Sequence, residues 1–128
     1  MIPVLYLYNL DNPRGAKIRR MCLPLGIRTK IVPPEAHTLT LEELTGGAPP
    51  LPDGAPGFSD ELLLMVGFTS AQMDALFLGF RRAKIPPVAL KAVLTPTNRS
   101  WTSVQLHQEL CQEHEAVQQG RRADHGQP

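Results

Sequence analysis

Residues 61–68 read Glu-Leu-Leu-Leu-Met-Val-Gly-Phe. Side chains on a strand alternate between the two faces of a sheet. Leu62, Leu64 and Val66 therefore point one way, and Leu63 and Met65 the other. Both rows are apolar, which describes a central strand buried on both sides. A single layer of helices cannot shelter such a strand. Either the last helix of the chain crosses the open face or a second copy of the chain does, because an uncovered apolar sheet face would be an unusual exposed patch.

Outward from this strand the same pattern occurs twice. Upstream, VLYLYN (residues 4–9) alternates, with Leu5 and Leu7 on one face and Val4, Tyr6 and Tyr8 on the other. Asn12 and Pro13 are helix-start residues. The helix that follows carries Ile18, Met21, Cys22 and Leu25 on one stripe. Pro24 should break it near Cys22, with Gly26 ending it. Ile27–Val32 alternates with Arg28 and Lys30, and Pro33-Pro34 follows, so it reads as an edge strand. Downstream, Thr69 and Gln72 have capping-box spacing, a helix runs to about Lys84, and Val88–Thr95 forms a strand that Lys91 marks as an edge. The final helix starts at the Thr102/Gln105 capping box, carries Leu106, Leu110 and Val117, and fades by Gly120.

Between the halves, Thr40 and Glu43 form a third capping box closed by Gly46. Residues 46–57, GGAPPLPDGAPG, are turn chemistry throughout and read as an irregular, mobile loop. The order βαβ–βαβ plus a helix fits an α+β, ferredoxin-like βαββαβ sandwich with an extra C-terminal helix, strands one and three central and two and four at the edges. A small parallel α/β sheet, with residues 35–60 as crossover, is the alternative. Residues 1–118 form one domain, and 119–128 read as a disordered tail.

Composition narrows the class. The chain has 128 residues, 42% hydrophobic and 20% charged, with a formal net charge of +1. That is a globular domain without an overall field for nucleic acid or anionic lipid. No apolar run reaches the ~20 residues that span a bilayer. The start of the chain lacks a basic leader, and the two cysteines, Cys22 and Cys111, suit reduced thiols, so the expected location is the cytoplasm.

Four groups of residues are candidates for chemistry. The turn Thr95–Trp101 gathers hydroxyls, an amide, a guanidinium and the only tryptophan ahead of a helix N-terminus, where unpaired N–H groups favour anions. Lys91, Thr95, Thr97, Asn98, Arg99 and Trp101 form the expected binding surface for a small anionic ligand or a protein. The same residues also have a purely structural reading, as a turn, a cap and a core anchor. His107, Cys111 and His114 share one helix face, the start of a metal site, but no second Cys/His pair is present to complete it. The stretch Leu5-Tyr6-Leu7-Tyr8-Asn9-Leu10 resembles the first signature strand of RNA-recognition motifs, where Tyr6 and Tyr8 would stack bases, yet the companion strand ELLLMVGF has no basic residue and no aromatic before Phe68. Asp60 and Glu61 are adjacent and point apart on a strand, so they form no acid/base pair. His37 and His125 fall in loop and tail.

The segment GFTSAQMDALFLGFRRAKIPPVALKAVLTPTNRSW, residues 67–101, resembles a family of short bacterial proteins known only as a domain of unknown function. The likeness covers roughly residues 3–118 and implies a bacterial, cytoplasmic protein. It brings over no catalytic or binding residue.

The expectation is a non-catalytic binding or regulatory domain that uses the loop after the fourth strand. It calls for no cofactor and no membrane, does not favour nucleic acid, and leaves a homo-oligomer open. The alternatives are a small metal- or thiol-dependent enzyme and an RNA-binding module.

Overall fold

The two faces of the 62–66 strand decide the architecture. In a computed structural model, residues 2–51, 54 and 57–126 are described, with backbone alone for 118–126. The elements are β1 (Val4–Tyr8), α1 (Pro13–Cys22), β2 (Arg28–Val32), α2 (Leu41–Thr45), β3 (Leu62–Val66), α3 (Ser70–Arg82), β4 (Leu90–Val93) and α4 (Ser103–Gly126). Among the described residues the architecture is α+β: one four-stranded mixed sheet in the order β2-β1-β3-β4, with four α-helices. β1 and β2 pair in parallel, as do β3 and β4, while β1 and β3 run antiparallel with Tyr6 opposite Leu64.

The local signals act where the sequence placed them. The Asn12 side chain accepts from the Gly15 N–H, and Pro13 opens α1. A 3₁₀ turn at Leu23–Leu25 absorbs Pro24, and Gly26 closes it in the left-handed region at φ 72°. Thr40/Glu43, Thr69/Gln72 and Thr102/Gln105 all form reciprocal capping boxes. Each satisfies helix-end N–H groups that would otherwise go unpaired.

β1 and β3 are central and β2 and β4 are at the edges, as expected. Their neighbours differ from the ferredoxin-like arrangement. A split βαβ unit leaves a place for another strand between its two parallel strands; here β2 lies directly beside β1 and β4 directly beside β3. The cause is the long connection over residues 33–61. A short link would hold β2 against β3 as a hairpin, whereas this one runs through a 3₁₀ turn at Pro34–Ala36 and α2 and delivers its own apolar side chains to the sheet. The antiparallel β1–β3 pair also removes the all-parallel alternative.

Two cores result. On one face Leu5, Leu7, Leu63 and Met65 pack against Ile18 and Cys22 of α1 and Leu76 and Phe80 of α3. On the other, Tyr6, Tyr8, Leu62 and Leu64 pack against Ala36, Leu39, Leu41 and Leu106. Each fully buried leucine contributes about 1.5–3 kcal/mol relative to exposure. Both faces of β3 are thus covered within one chain, so this strand does not require a second copy. α4 supplies part of the cover through Leu106 and half-buried Leu110, whereas Val117 is 52% exposed and lies outside that contact. α4 continues past Gly120, where sequence reading ended it, to Gly126. One interior glycine costs a helix only about 1 kcal/mol, and the flanking residues are mostly good helix formers. Residues 52, 53, 55 and 56 of the proline-rich loop, and 127 and 128 of the tail expected to be disordered, lie outside the described residues.

Gly15 sits where α1 meets the chain leaving β1. A Cβ there would run into the Leu10 carbonyl oxygen, a backbone atom that cannot step aside. Gly15→Ala should therefore destabilise by roughly 1–3 kcal/mol in urea unfolding, as overpacking does. The opposite sign would be expected from helix propensity alone, so the measured sign tests the close approach.

Candidate functional site

The turn after β4 uses most of its polar groups internally. Asn98 is 8% exposed. Its Oδ1 accepts from the Thr95 N–H, its Nδ2 donates to the Val93 carbonyl, and its own N–H donates to Thr95 Oγ1. The carbonyls of Arg99 and Trp101 accept from the Glu42 and Leu41 N–H groups. The turn therefore satisfies the N-terminus of α2, and Thr40 and Thr102 form a bridge beside it. Trp101 packs into the second core. Thr95, Thr97 and Arg99 remain exposed. Lys91 is separated from this group: it pairs in register with Leu63 and so projects from the other face of the sheet.

Lys91 instead lines a recess of about 530 Å³ between α3 and β4. Here α1 and α3 leave the edge strand β4 partly open, with Val93 37% exposed. The walls are Leu63, Phe77, Phe80, Ile85 and Val88, with Lys91 and Arg81 as cations and Asp74 as the one carboxylate. The Lys91 ammonium donates to the Val88 carbonyl at 2.8 Å and lies 5.9 Å from the centre of the Phe77 ring. An ammonium has three donors, and one of them is used among the described residues. Its volume falls within the range that small-molecule sites occupy, and its wall is mainly apolar with few polar groups.

On the opposite face lies a cluster that the sequence only half revealed. His107 and Cys111 come together on α4 as their spacing required, with Cys111 Sγ 3.4 Å from His107 Nε2. The third member is Asp60, whose Oδ2 is 2.8 Å from the same Nε2. The Oδ2, Nε2 and Sγ atoms all lie within 4.8 Å of one another. His114 and Glu115 line the recess of about 330 Å³ that the cluster borders, together with Asp60, Glu61 and Cys111. Asn9 fixes the approach of Asp60. It adopts φ 58°, a left-handed conformation that asparagine tolerates better than most residues, and its Nδ2 donates to the carbonyls of Phe58 and Asp60. Phe58 stacks on His107 with ring centres 4.3 Å apart and planes 5° from parallel, which sets the imidazole's orientation.

This is not a nucleophilic relay. A thiol–imidazole–carboxylate relay needs the thiol and the carboxylate on different ring nitrogens; here both meet Nε2. The Cys111 thiol is also held above its ordinary pKa, by burial first and then by the negative charges of Asp60 and Glu115. Cys22 is equally unsuited, with its pKa pushed up to about 11 by burial in the core. Tyr6 and Tyr8 offer no stacking platform: Tyr8 is fully buried, with its hydroxyl 2.7 Å from Ser103 Oγ of α4, and Tyr6 is 5% exposed.

His37, assigned to a loop by its sequence, is fully buried. It stacks on the other side of Phe58, with ring centres 4.5 Å apart. No sequence signal marks it or Asp60, because both lie in the irregular 33–61 connection.

Residues 61–117, from the start of β3 into α4, match the family model described as Domain of unknown function (DUF3783). No curated protein and no solved structure matches the chain. The matched span includes Lys91, the turn after β4, His107 and Cys111, and stops one residue short of Asp60. Among the described residues, no helix is long and apolar enough to cross a membrane.

His37 Nδ1 accepts from the Gly57 N–H at 3.1 Å, so the ring is neutral with its proton on Nε2, a buried atom that finds no acceptor among the described residues. Burial lowers its pKa below the ordinary 6.5, and the charge of Glu35 opposes this only in part. A folded-state pKa below the unfolded one means that the unfolded chain takes up the proton first as pH falls. Stability should be full above pH ~6.5 and decline as the pH drops toward the folded-state value. Urea midpoints measured across that range should fall in the wild type, and fall less in His37→Gln.

Proposed function

We propose that the chain is a non-catalytic binding domain for a small organic anion with an apolar body, held in the recess between α3 and β4. The observation that carries this reading is the position of Lys91: a half-buried side chain whose ammonium meets one acceptor among the described residues, beside Phe77, Phe80, Ile85 and Val88. Apolar walls would take the body of the ligand and the cation its carboxylate or phosphate. Arg81 at the rim adds a second positive charge, and Asp74 would disfavour ligands carrying charge at both ends. Two free cysteines support a cytoplasmic setting. Binding without chemistry suits a regulatory or carrier role.

A second reading keeps the turn after β4 as a docking point for a protein. It rests on Arg99, Thr95 and Thr97, which stand exposed on a turn that Asn98 holds rigid from within. Arg99→Ala would then weaken capture of that partner and leave ligand binding in the recess unchanged.

A thermal-shift panel of aromatic and aliphatic carboxylates and phosphates tests the first reading. A member of the panel should stabilise the wild type, and Lys91→Met should weaken it at least tenfold, since a hydrogen bond to a charged group contributes about 1.5–3 kcal/mol. A panel without any shift, or equal affinity in Lys91→Met, removes the recess as the binding site.

A further inference from the structure

We propose that Asp60, His107 and Cys111 form a binding site for a divalent transition-metal cation, with Zn²⁺ the best match. The site lies on the other face of the sheet from the ligand recess and does not depend on it.

The argument begins with the proton count. His107 Nε2 is 2.8 Å from Asp60 Oδ2 and 3.4 Å from Cys111 Sγ. If Nε2 carries a proton, that proton can be directed at one of them. If it does not, its lone pair faces the carboxylate's at hydrogen-bond distance. A divalent cation between the three atoms would accept a lone pair from each. One oxygen, one nitrogen and one sulfur donor are the set that zinc takes.

The dimensions agree. With metal–ligand bonds of about 2.0–2.3 Å, two donors of a tetrahedral site are roughly 3.3–3.7 Å apart. The nitrogen–sulfur separation is already 3.4 Å, and the largest separation in the cluster is under 4.8 Å. The 2.8 Å nitrogen–oxygen pair has to open by about half an ångström. The Asp60 side chain is 62% exposed and has room to do so.

The donors are also held in place without a metal. His107 and Cys111 are one turn apart on α4, a regular helix. Phe58 stacks on the His107 ring, and Asn9 pins the backbone that carries Asp60. Support of this kind around the ligands is what orients a metal site. His114 and Glu115, three and four residues beyond Cys111, line the same recess as Asp60 and Cys111, and one of them or a solvent molecule would be the fourth ligand. Such a site would tie α4 to the segment leading into β3.

The test uses the full chain without a histidine tag, stripped with chelator and titrated with Co²⁺. Bound cobalt should give tetrahedral visible bands and a thiolate charge-transfer band that saturate at one equivalent, and Zn²⁺ should displace them. Cys111→Ser should abolish the charge-transfer band. Asp60→Asn and His107→Gln should each weaken Zn²⁺ at least tenfold while far-ultraviolet dichroism stays unchanged. Lys91→Met should keep the metal spectrum intact, which separates this site from the ligand recess. The absence of a thiolate band, a band that survives Cys111→Ser, or Zn²⁺ affinity equal to wild type in both Asp60→Asn and His107→Gln would reduce the cluster to a hydrogen-bonded ion pair and overturn the proposal.

Discussion

The antiparallel pair of β1 and β3 is apolar on both faces, and shelter for those faces shapes the rest of the molecule. Leu5, Leu7, Leu63 and Met65 take α1 and α3 as their cover, a regular layer of helices. The opposite row includes Tyr6 and Tyr8, and its cover is of another kind. Tyr8 is wholly buried, and a buried phenol needs a partner for its hydroxyl. Ser103, in the first turn of α4, provides it at 2.7 Å. That contact joins the first turn of α4 to β1. Desolvation keeps the phenol protonated, so the contact is a neutral hydrogen bond throughout the physiological range.

The second layer is built largely from chain without long regular elements. The 33–61 connection contributes Ala36, Leu39, Leu41 and Phe58 to the core, and its helix α2 is capped by backbone carbonyls of the turn after β4. A connection that packs as a layer carries its polar residues inward with it. His37 becomes a buried neutral imidazole, and Phe58 is stacked between His37 and His107. Asp60 is brought against α4 for the same reason. The side-chain chemistry of this face is thus a product of how the layer was assembled, and it lies at the seam between the connection and α4.

The recess beside Lys91 has the opposite origin. On the α1/α3 face the cover is regular, but two helices leave the β4 edge of a four-stranded sheet partly bare. Lys91 occupies that gap, with its ammonium on the Val88 carbonyl and beside the Phe77 ring. The same lysine has a second effect. A charge on an edge strand discourages pairing with another sheet, so β4 can remain open without inviting a further strand.

Local grammar was readable from the residues alone, because its causes lie within a few positions along the chain. Asn12 caps α1, three threonines close capping boxes with the residue three further on, Pro24 and Gly26 end α1, and the alternation in β1 and β3 assigns each side chain to its face. Central and edge strands were readable too, since burial on two sides or one leaves its mark in composition. The neighbours of β2 and β4 were not, because they depend on the route of the 33–61 connection, and a proline- and glycine-rich segment does not reveal that route. The candidate sites divide the same way. His107 and Cys111 share a helix face by periodicity, whereas Asp60 reaches them across 47 positions of sequence. Lys91 was recognisable as an edge charge, but its separation from Thr95, Thr97, Asn98, Arg99 and Trp101 follows from strand register, which places it on the other side of the sheet. Short-range hydrogen bonding and periodicity are written in the order of residues; the meeting of distant segments is decided by which surfaces must be hidden from water, and that is a property of the folded chain as a whole.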